Sequence, residues 1–149
     1  MKKNIILLLT LFTLSIGYSQ ILEPVKWSTD VKKISNSEYE LIVIAKIQEK
    51  WHLYSQFVTE GGPVATQFTF EGNNKYLKKG NTKEEAGLEV HDTTFDMDVT
   101  YFEKETTFKQ RIKLKSKVPF TIKAEVNYMV CDDAKCIMPD PAVLVFDLK

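Results

Sequence analysis

The sequence predicts an all-β fold, a sandwich of short antiparallel strands. Three observations carry that expectation. Segments of strand length rich in β-branched and aromatic residues recur along the chain. Turn-forming clusters separate them, and no segment shows a convincing helical period. The chain has 149 residues, 44% of them hydrophobic, which suits one domain with a core of its own and is too short for two.

Taken in order, the N-terminus comes first. Lys2 and Lys3 precede an apolar run over Ile5–Ile16, and Gly17-Tyr18-Ser19 supplies small residues after it. That pattern predicts a secretory signal peptide over residues 1–19 and a mature domain over 20–149. The run is short for a membrane span and no positive stop signal follows it, so no stable membrane insertion is expected after cleavage. Lys plus Arg equals Asp plus Glu at 20 each. Loss of Lys2 and Lys3 leaves a net charge of about −2, which gives no electrostatic footprint for nucleic acid.

The first clear strand is Tyr39–Ile47. Tyr39, Leu41, Val43, Ala45 and Ile47 share one face, and Ile42 and Ile44 make the other partly apolar, as expected of a central strand. Thr66–Phe70 is a short alternating strand that turns at Glu71–Asn74. In Thr106–Lys115, Phe108, Ile112 and Leu114 point one way and Lys109, Arg111, Lys113 and Lys115 the other, so a solvated basic face is expected. Val118-Pro119 marks a break. Phe120, Ile122, Ala124, Val126 and Tyr128 then alternate, and Ala142–Leu148 is a last apolar run. Strands of this length and spacing read as an immunoglobulin-type β-sandwich, with a closed barrel as the alternative.

Between the last two runs lies Tyr128–Pro141, which holds the only two cysteines, Cys131 and Cys136. Two thiols this close can form a disulfide within one small loop. Such a loop yields only about 2 kcal/mol in the chain-entropy model, against about 4.7 for a hundred-residue loop. A staple would do better between distant strands, so the short loop favours a reversible redox couple, with a plain structural disulfide as the competing reading. Asp132 and Asp133 disfavour a thiolate on Cys131, and Lys135 favours one on Cys136. Cys136 is therefore the expected attacking sulfur and Cys131 the resolving one.

Other chemistry finds little support. His52 and His91 lack zinc-like spacing with the cysteines, so no metal is expected. Nothing marks an oxyanion site for Cys–His hydrolysis. Gly61-Gly62-Pro63 is a turn and not a phosphate loop, and no cofactor is expected. Trp51, Tyr54, Phe95, Tyr101 and Tyr128 are enough rings to cover a small disulfide, or to serve as ordinary core.

These residues together resemble the N-terminal periplasmic domain of the DsbD-type thiol:disulfide interchange proteins. Trp51-His52-Leu53-Tyr54-Ser55 is similar to an early segment of that family, and Gly87–Phe95 with Tyr101-Phe102 to its cap-loop region. Phe108–Leu114 is similar to the strand that follows, and Tyr128–Pro141 to the cysteine hairpin. The resemblance implies an immunoglobulin-like sandwich with a redox pair on a hairpin near one end. It implies Cys131 and Cys136 as that pair, Phe95 as the cap aromatic, and His52 and Tyr54 as pocket residues. It also implies a thioredoxin-like or membrane dithiol protein as electron donor and periplasmic disulfide proteins as acceptors. Met138 stands where a second proline is common, and His52 where a tyrosine is often found. Neither the membrane domain nor the thioredoxin-like domain of the family is expected in these residues, so electrons must come from a separate partner.

Overall fold

The computed structural model describes residues 22–149; the expected signal segment lies outside them. The first six strands are β1 (Val25–Lys33), β2 (Glu38–Ile47), β3 (His52–Tyr54), β4 (Gln67–Phe70), β5 (Tyr76–Glu84) and β6 (Leu88–Asp92). Then come β7 (Met97–Phe102), β8 (Glu105–Leu114), β9 (Phe120–Asn127), β10 (Val130–Cys131), β11 (Cys136–Ile137) and β12 (Ala142–Leu148). The described residues contain no helix.

The strands form three antiparallel sheets: β1-β2-β8-β5, β12-β9-β4 and β11-β10-β3-β7-β6. The first two pack face to face as the sandwich. Alternation decides what they bury. Tyr39, Leu41, Val43, Ala45 and Ile47 of β2 face inward, and β2 lies between β1 and β8 as its two partly apolar faces predict. Opposite them, Ile122, Ala124 and Val126 of β9 and Leu144, Phe146 and Leu148 of β12 complete the core. Thr29 in β1 donates a hydrogen bond to the Val145 carbonyl in β12 at 2.6 Å, which ties one edge of the sandwich shut.

The inward face of β8 also buries two polar residues, Thr106 and Gln110. Gln110 falls on the inward face between Phe108 and Ile112 and is buried with them. Its amide accepts from the Thr82 hydroxyl at 2.9 Å and donates to the Arg111 carbonyl at 2.8 Å and the Gly80 carbonyl at 3.3 Å. The register of β5 against β8 shifts between Lys79 and Lys83, and Gly80 has φ +69° there. The Gln110 side chain satisfies polar groups that this bulge withdraws from the ladder.

The third sheet contacts the core with one face only. Leu53, Phe102 and Val130 join the main core, and the neighbouring positions point the other way. That second face carries the cysteine.

Candidate functional site

Strands β9 and β12 pair with each other along their whole length, from Phe120↔Leu148 to Val126↔Ala142. Between them the chain crosses into the third sheet and makes the small β10–β11 hairpin. Cys131 and Cys136 are direct cross-strand partners there, joined by a disulfide with their Cα atoms 4.0 Å apart. The Asp132 N–H donates to the Lys135 carbonyl at 2.9 Å, so 132/135 is a hydrogen-bonded pair. The adjacent 131/136 pair is then of the non-hydrogen-bonded kind, in which side chains come closest. Asp132 also makes the turn: its carboxylate accepts the N–H groups of Ala134 and Lys135, each at 2.8 Å. Those two bonds hold its carboxyl below the usual carboxylate range.

Strand β10 pairs on its other side with β3, so that Cys131 stands opposite His52 and Val130 opposite Leu53. Strand β7 continues the sheet, with Tyr54 opposite Tyr101. Period-two alternation therefore puts His52, Tyr54, Tyr101 and Cys131 on one face, away from the main core. On that face Tyr54, Val99 and Cys131 are buried in a small apolar cluster of their own. Val58, Val90, Phe95, Met97, Tyr101 and Met129 pack around it.

The expected cap is a hairpin and not a loop throughout. Val90–Asp98 reads as turn-rich in sequence, yet β6 and β7 pair in register from Leu88↔Tyr101 to Asp92↔Met97, leaving only a four-residue turn over 93–96. Asp92 organises that turn. Its carboxylate accepts the Thr94 N–H at 2.8 Å and, more weakly, the Phe95 N–H at 3.4 Å. It also accepts the Tyr54 hydroxyl at 2.8 Å. Burial pushes the Asp92 carboxyl up, but the bonds from Tyr54 and the turn outweigh it and leave the group below its ordinary value. The Tyr54 phenol moves far above its ordinary range, first by burial and then by its bond to Asp92. Sequence reading passed over Asp92. The signal available was an Asp two residues ahead of the Thr94 N–H, the spacing of an Asx turn.

The structure brings Cys131, His52, Tyr54 and Phe95 together. The Phe95 ring is half-buried and meets Tyr54 edge-on, with centroids 6.1 Å apart. His52 stacks on Tyr101 at 4.5 Å and 22°. An open groove of about 290 Å³ runs between the cap turn and the cysteine hairpin, lined by Thr93 and Thr94 on one side and by Cys131, Asp132 and Asp133 on the other. His91 lies at that rim too, but its ring nitrogens face Asp98 at 3.1 Å and Asp96 at 3.3 Å. Lys135 does not remain beside Cys136 alone, because its ammonium sits 5.9 Å from the centre of the Trp51 ring. The two sulfurs belong to unlike surroundings: Cys131 is 3% exposed, whereas Cys136 is an exposed residue at the sheet edge.

Comparison with known proteins sets this geometry in a family. Residues 20–147 match the family described as Thiol:disulfide interchange protein DsbD, N-terminal. No curated protein sequence matches the chain. Among solved structures, the N-terminal periplasmic domain of ScsB from Proteus mirabilis superposes with a TM-score of 0.63 at 15% identity, over 85% of this chain. The chain spans about half of that domain, 47% of its length. The Neisseria meningitidis DsbD N-terminal domain in the reduced form gives 0.53 at 15% identity, covering 87% of this chain and 90% of that one. The same domain in its complex with the PilB N-terminal domain gives 0.52 at 13% identity, covering 87% of each chain. At these identities the likeness is one of fold. With the match to nearly all of the described chain, it follows that this protein belongs to the DsbD N-terminal family of thiol:disulfide interchange proteins, and that its sandwich is the immunoglobulin-like fold of that family.

Proposed function

We propose that the Cys131–Cys136 disulfide is a redox couple through which this domain passes electrons between protein dithiols. The observation that carries the reading is the unequal placement of the two sulfurs. A bond meant only to hold the sandwich would join its sheets, but this one closes a two-residue-strand hairpin outside the main core. One partner is exposed and the other is buried in the small cluster.

The chemistry follows from that asymmetry. A thiolate of the reducing partner attacks the sulfur of Cys136, the S–S bond breaks, and Cys131 leaves as a thiolate. The partner's second thiol then attacks the mixed disulfide and releases Cys136, so the partner ends as a disulfide and this domain as a dithiol, two electrons having moved. In the reverse sense, Cys136 attacks an acceptor disulfide and Cys131 resolves it. Phe95, Tyr54 and His52 form the cap and pocket beside the buried sulfur. No cofactor enters, since the sulfurs themselves carry the electrons.

The donor is a thioredoxin-like or membrane dithiol protein and the acceptors are periplasmic disulfide proteins. The complex of the Neisseria DsbD and PilB N-terminal domains supports a protein partner for a domain of this family. A periplasmic location, after removal of a signal peptide over 1–19, accords with the family. No helix among the described residues is long and apolar enough to cross a membrane. The N-terminus of the exported protein, read by mass spectrometry, is expected at Gln20.

The reduction potential of the couple tests the main reading. A shuttle lies well above about −300 mV, and a potential below that marks a structural bond. Trapping tests the roles. Cys131→Ser leaves Cys136 free and should accumulate a stable mixed disulfide with a dithiol partner, while Cys136→Ser should trap poorly.

A further inference from the structure

A second segment bears on the cap. The stretch after β3, residues 55–66, returns to its own starting point. The Ser55 N–H donates to the Thr100 carbonyl at 2.9 Å, the Thr66 N–H to the Ser55 carbonyl at 3.1 Å, and the Thr66 hydroxyl to the Tyr54 carbonyl at 2.6 Å. Its first turn is held by one carboxylate from a different sheet, that of Glu84 at the end of β5. The buried Ser55 hydroxyl donates to Glu84. The Gln56 N–H does so at 2.9 Å and the Gln56 side-chain amide at 3.2 Å. The Ser55 oxygen in turn accepts the Phe57 N–H at 2.9 Å. Glu84 itself is fixed, because it stands opposite Phe108 of the main core in the β5–β8 ladder.

The far part of the loop presses on the cap hairpin. Val58 and Met97 both pack against the Tyr54–Val99–Cys131 cluster. Gly62 lies so close that a Cβ there would stand 2.7 Å from the Met97 sulfur and 2.9 Å from Val58 Cγ1. Met97 is the first residue of β7, two positions after Phe95.

We infer that Glu84 is a positioning residue for the cysteine site: it anchors the 55–66 loop to the main sandwich, and that loop bears on Met97 and holds the cap hairpin beside Cys131. Three donors on one carboxylate make a rigid joint, since each bond to a charged acceptor is about twice as strong as a neutral one. The purpose of the position rests on the redox reading above; the mechanical coupling does not.

The experiment uses the full oxidised chain and dithiothreitol as probe. Its thiolate attacks one cysteine sulfur and its second thiol closes the ring, so that the probe is oxidised and Cys131–Cys136 reduced. Rates are measured well below the unfolding temperature for wild type, Glu84→Ala, Glu84→Gln, Gly62→Ala and a main-core control, Ile122→Val. Glu84→Ala should be reduced several-fold faster than wild type, and Glu84→Gln, which keeps an acceptor oxygen, by less. Gly62→Ala displaces Met97 with every Glu84 bond intact and should also accelerate reduction. If Glu84→Ala does not fold, Glu84→Gln and Gly62→Ala carry the test. Rates equal to wild type in the folded Glu84 and Gly62 variants would overturn the inference. So would an acceleration no greater than that of Ile122→Val at a matched loss of thermal stability. Failure of the redox reading looks different: a wild-type potential in the range of structural disulfides, with the variants still changing the rate.

Discussion

The main core and the cluster around Cys131 lie on opposite faces of the same short strands, and they are built differently. The main core draws on strands of seven to ten residues such as β2, β8, β9 and β12, with Leu41, Phe108, Ile112 and Ile122 wholly buried. The cluster has three buried members, Tyr54, Val99 and Cys131. Two of those sit on strands of two and three residues, and polar bonds to Asp92 and Glu84 hold what surrounds them. Apolar area scales the first region's contribution to stability, and the second has little area to offer. Segments with few buried contacts open most readily. The sandwich thus carries most of the fold's stability, and the surroundings of Cys131 depend on a few polar bonds.

That contrast is broken most directly by truncating one residue in each region. Phe108→Ala in the main core should cost roughly 3–5 kcal/mol, the range for a buried Phe, and urea unfolding at neutral pH measures it. At the cysteine site, replacing both Cys131 and Cys136 with Ser should cost about 2 kcal/mol, as the small loop predicts, and leave the sandwich folded. A double variant that does not fold would merge the two regions into one and return the disulfide to the role of staple.

The two regions were also unequally legible in the sequence. Strands β2, β8, β9 and β12 are plain because long apolar alternation is a strong signal. Strand β5, Tyr76–Glu84, is hidden, since this edge strand buries only Tyr76 and carries lysines elsewhere. Strand β1, Val25–Lys33, buries only Val25 fully and was equally silent. Strands β10 and β11 are shorter than any period can register, so the hairpin announced itself through residue type alone. In the turn over 93–96 and its flank, Phe95 stood out in sequence and Asp92 did not. The meaning of that carboxylate depends on register bringing Tyr54, 38 positions away, within 2.8 Å. Gln110 shares the inward face by alternation alone, but the reason for a buried amide there lies in the β5 bulge, which local pattern does not show.

Phe95 sharpens the comparison at its boundary. Its ring is half-buried, against Tyr54 and not within the main core. Phe95→Ala should therefore cost about 1–2 kcal/mol, well under the range for a fully buried Phe. Reaction of the pair with small thiols should speed up in the same variant, because access to the sulfurs governs it. Thermal stability and reduction rate measured together separate the two regions. A loss as large as that of Phe108→Ala with no change in reactivity would make Phe95 a core residue, and would leave Tyr54 as the ring that covers Cys131.

The smallest effect belongs to Asp92. The folded protein holds its carboxyl below the ordinary value of 3.8. The group therefore contributes stability that is complete above that value and is lost as pH falls through the lowered folded one. The Tyr54 phenol is pushed so far up that it remains a donor throughout, so the carboxylate is the partner that titrates. Acidification below the carboxylate range should thus release the turn over 93–96 before the sandwich unfolds. Amide exchange at Thr94, corrected for the intrinsic rate, reports that release, since its N–H is held by Asp92. Asp132 also titrates below its usual range, on the opposite rim of the groove, so wild type alone does not isolate the contribution. Asp92→Asn does. Its amide oxygen still accepts from the turn, so exchange at neutral pH should rise only slightly, and the acid-dependent rise at Thr94 should disappear while that at Ala134 persists. An unchanged acid response at Thr94 in Asp92→Asn would mean that packing of Phe95 and Met97, and not this carboxylate, holds the cap in place.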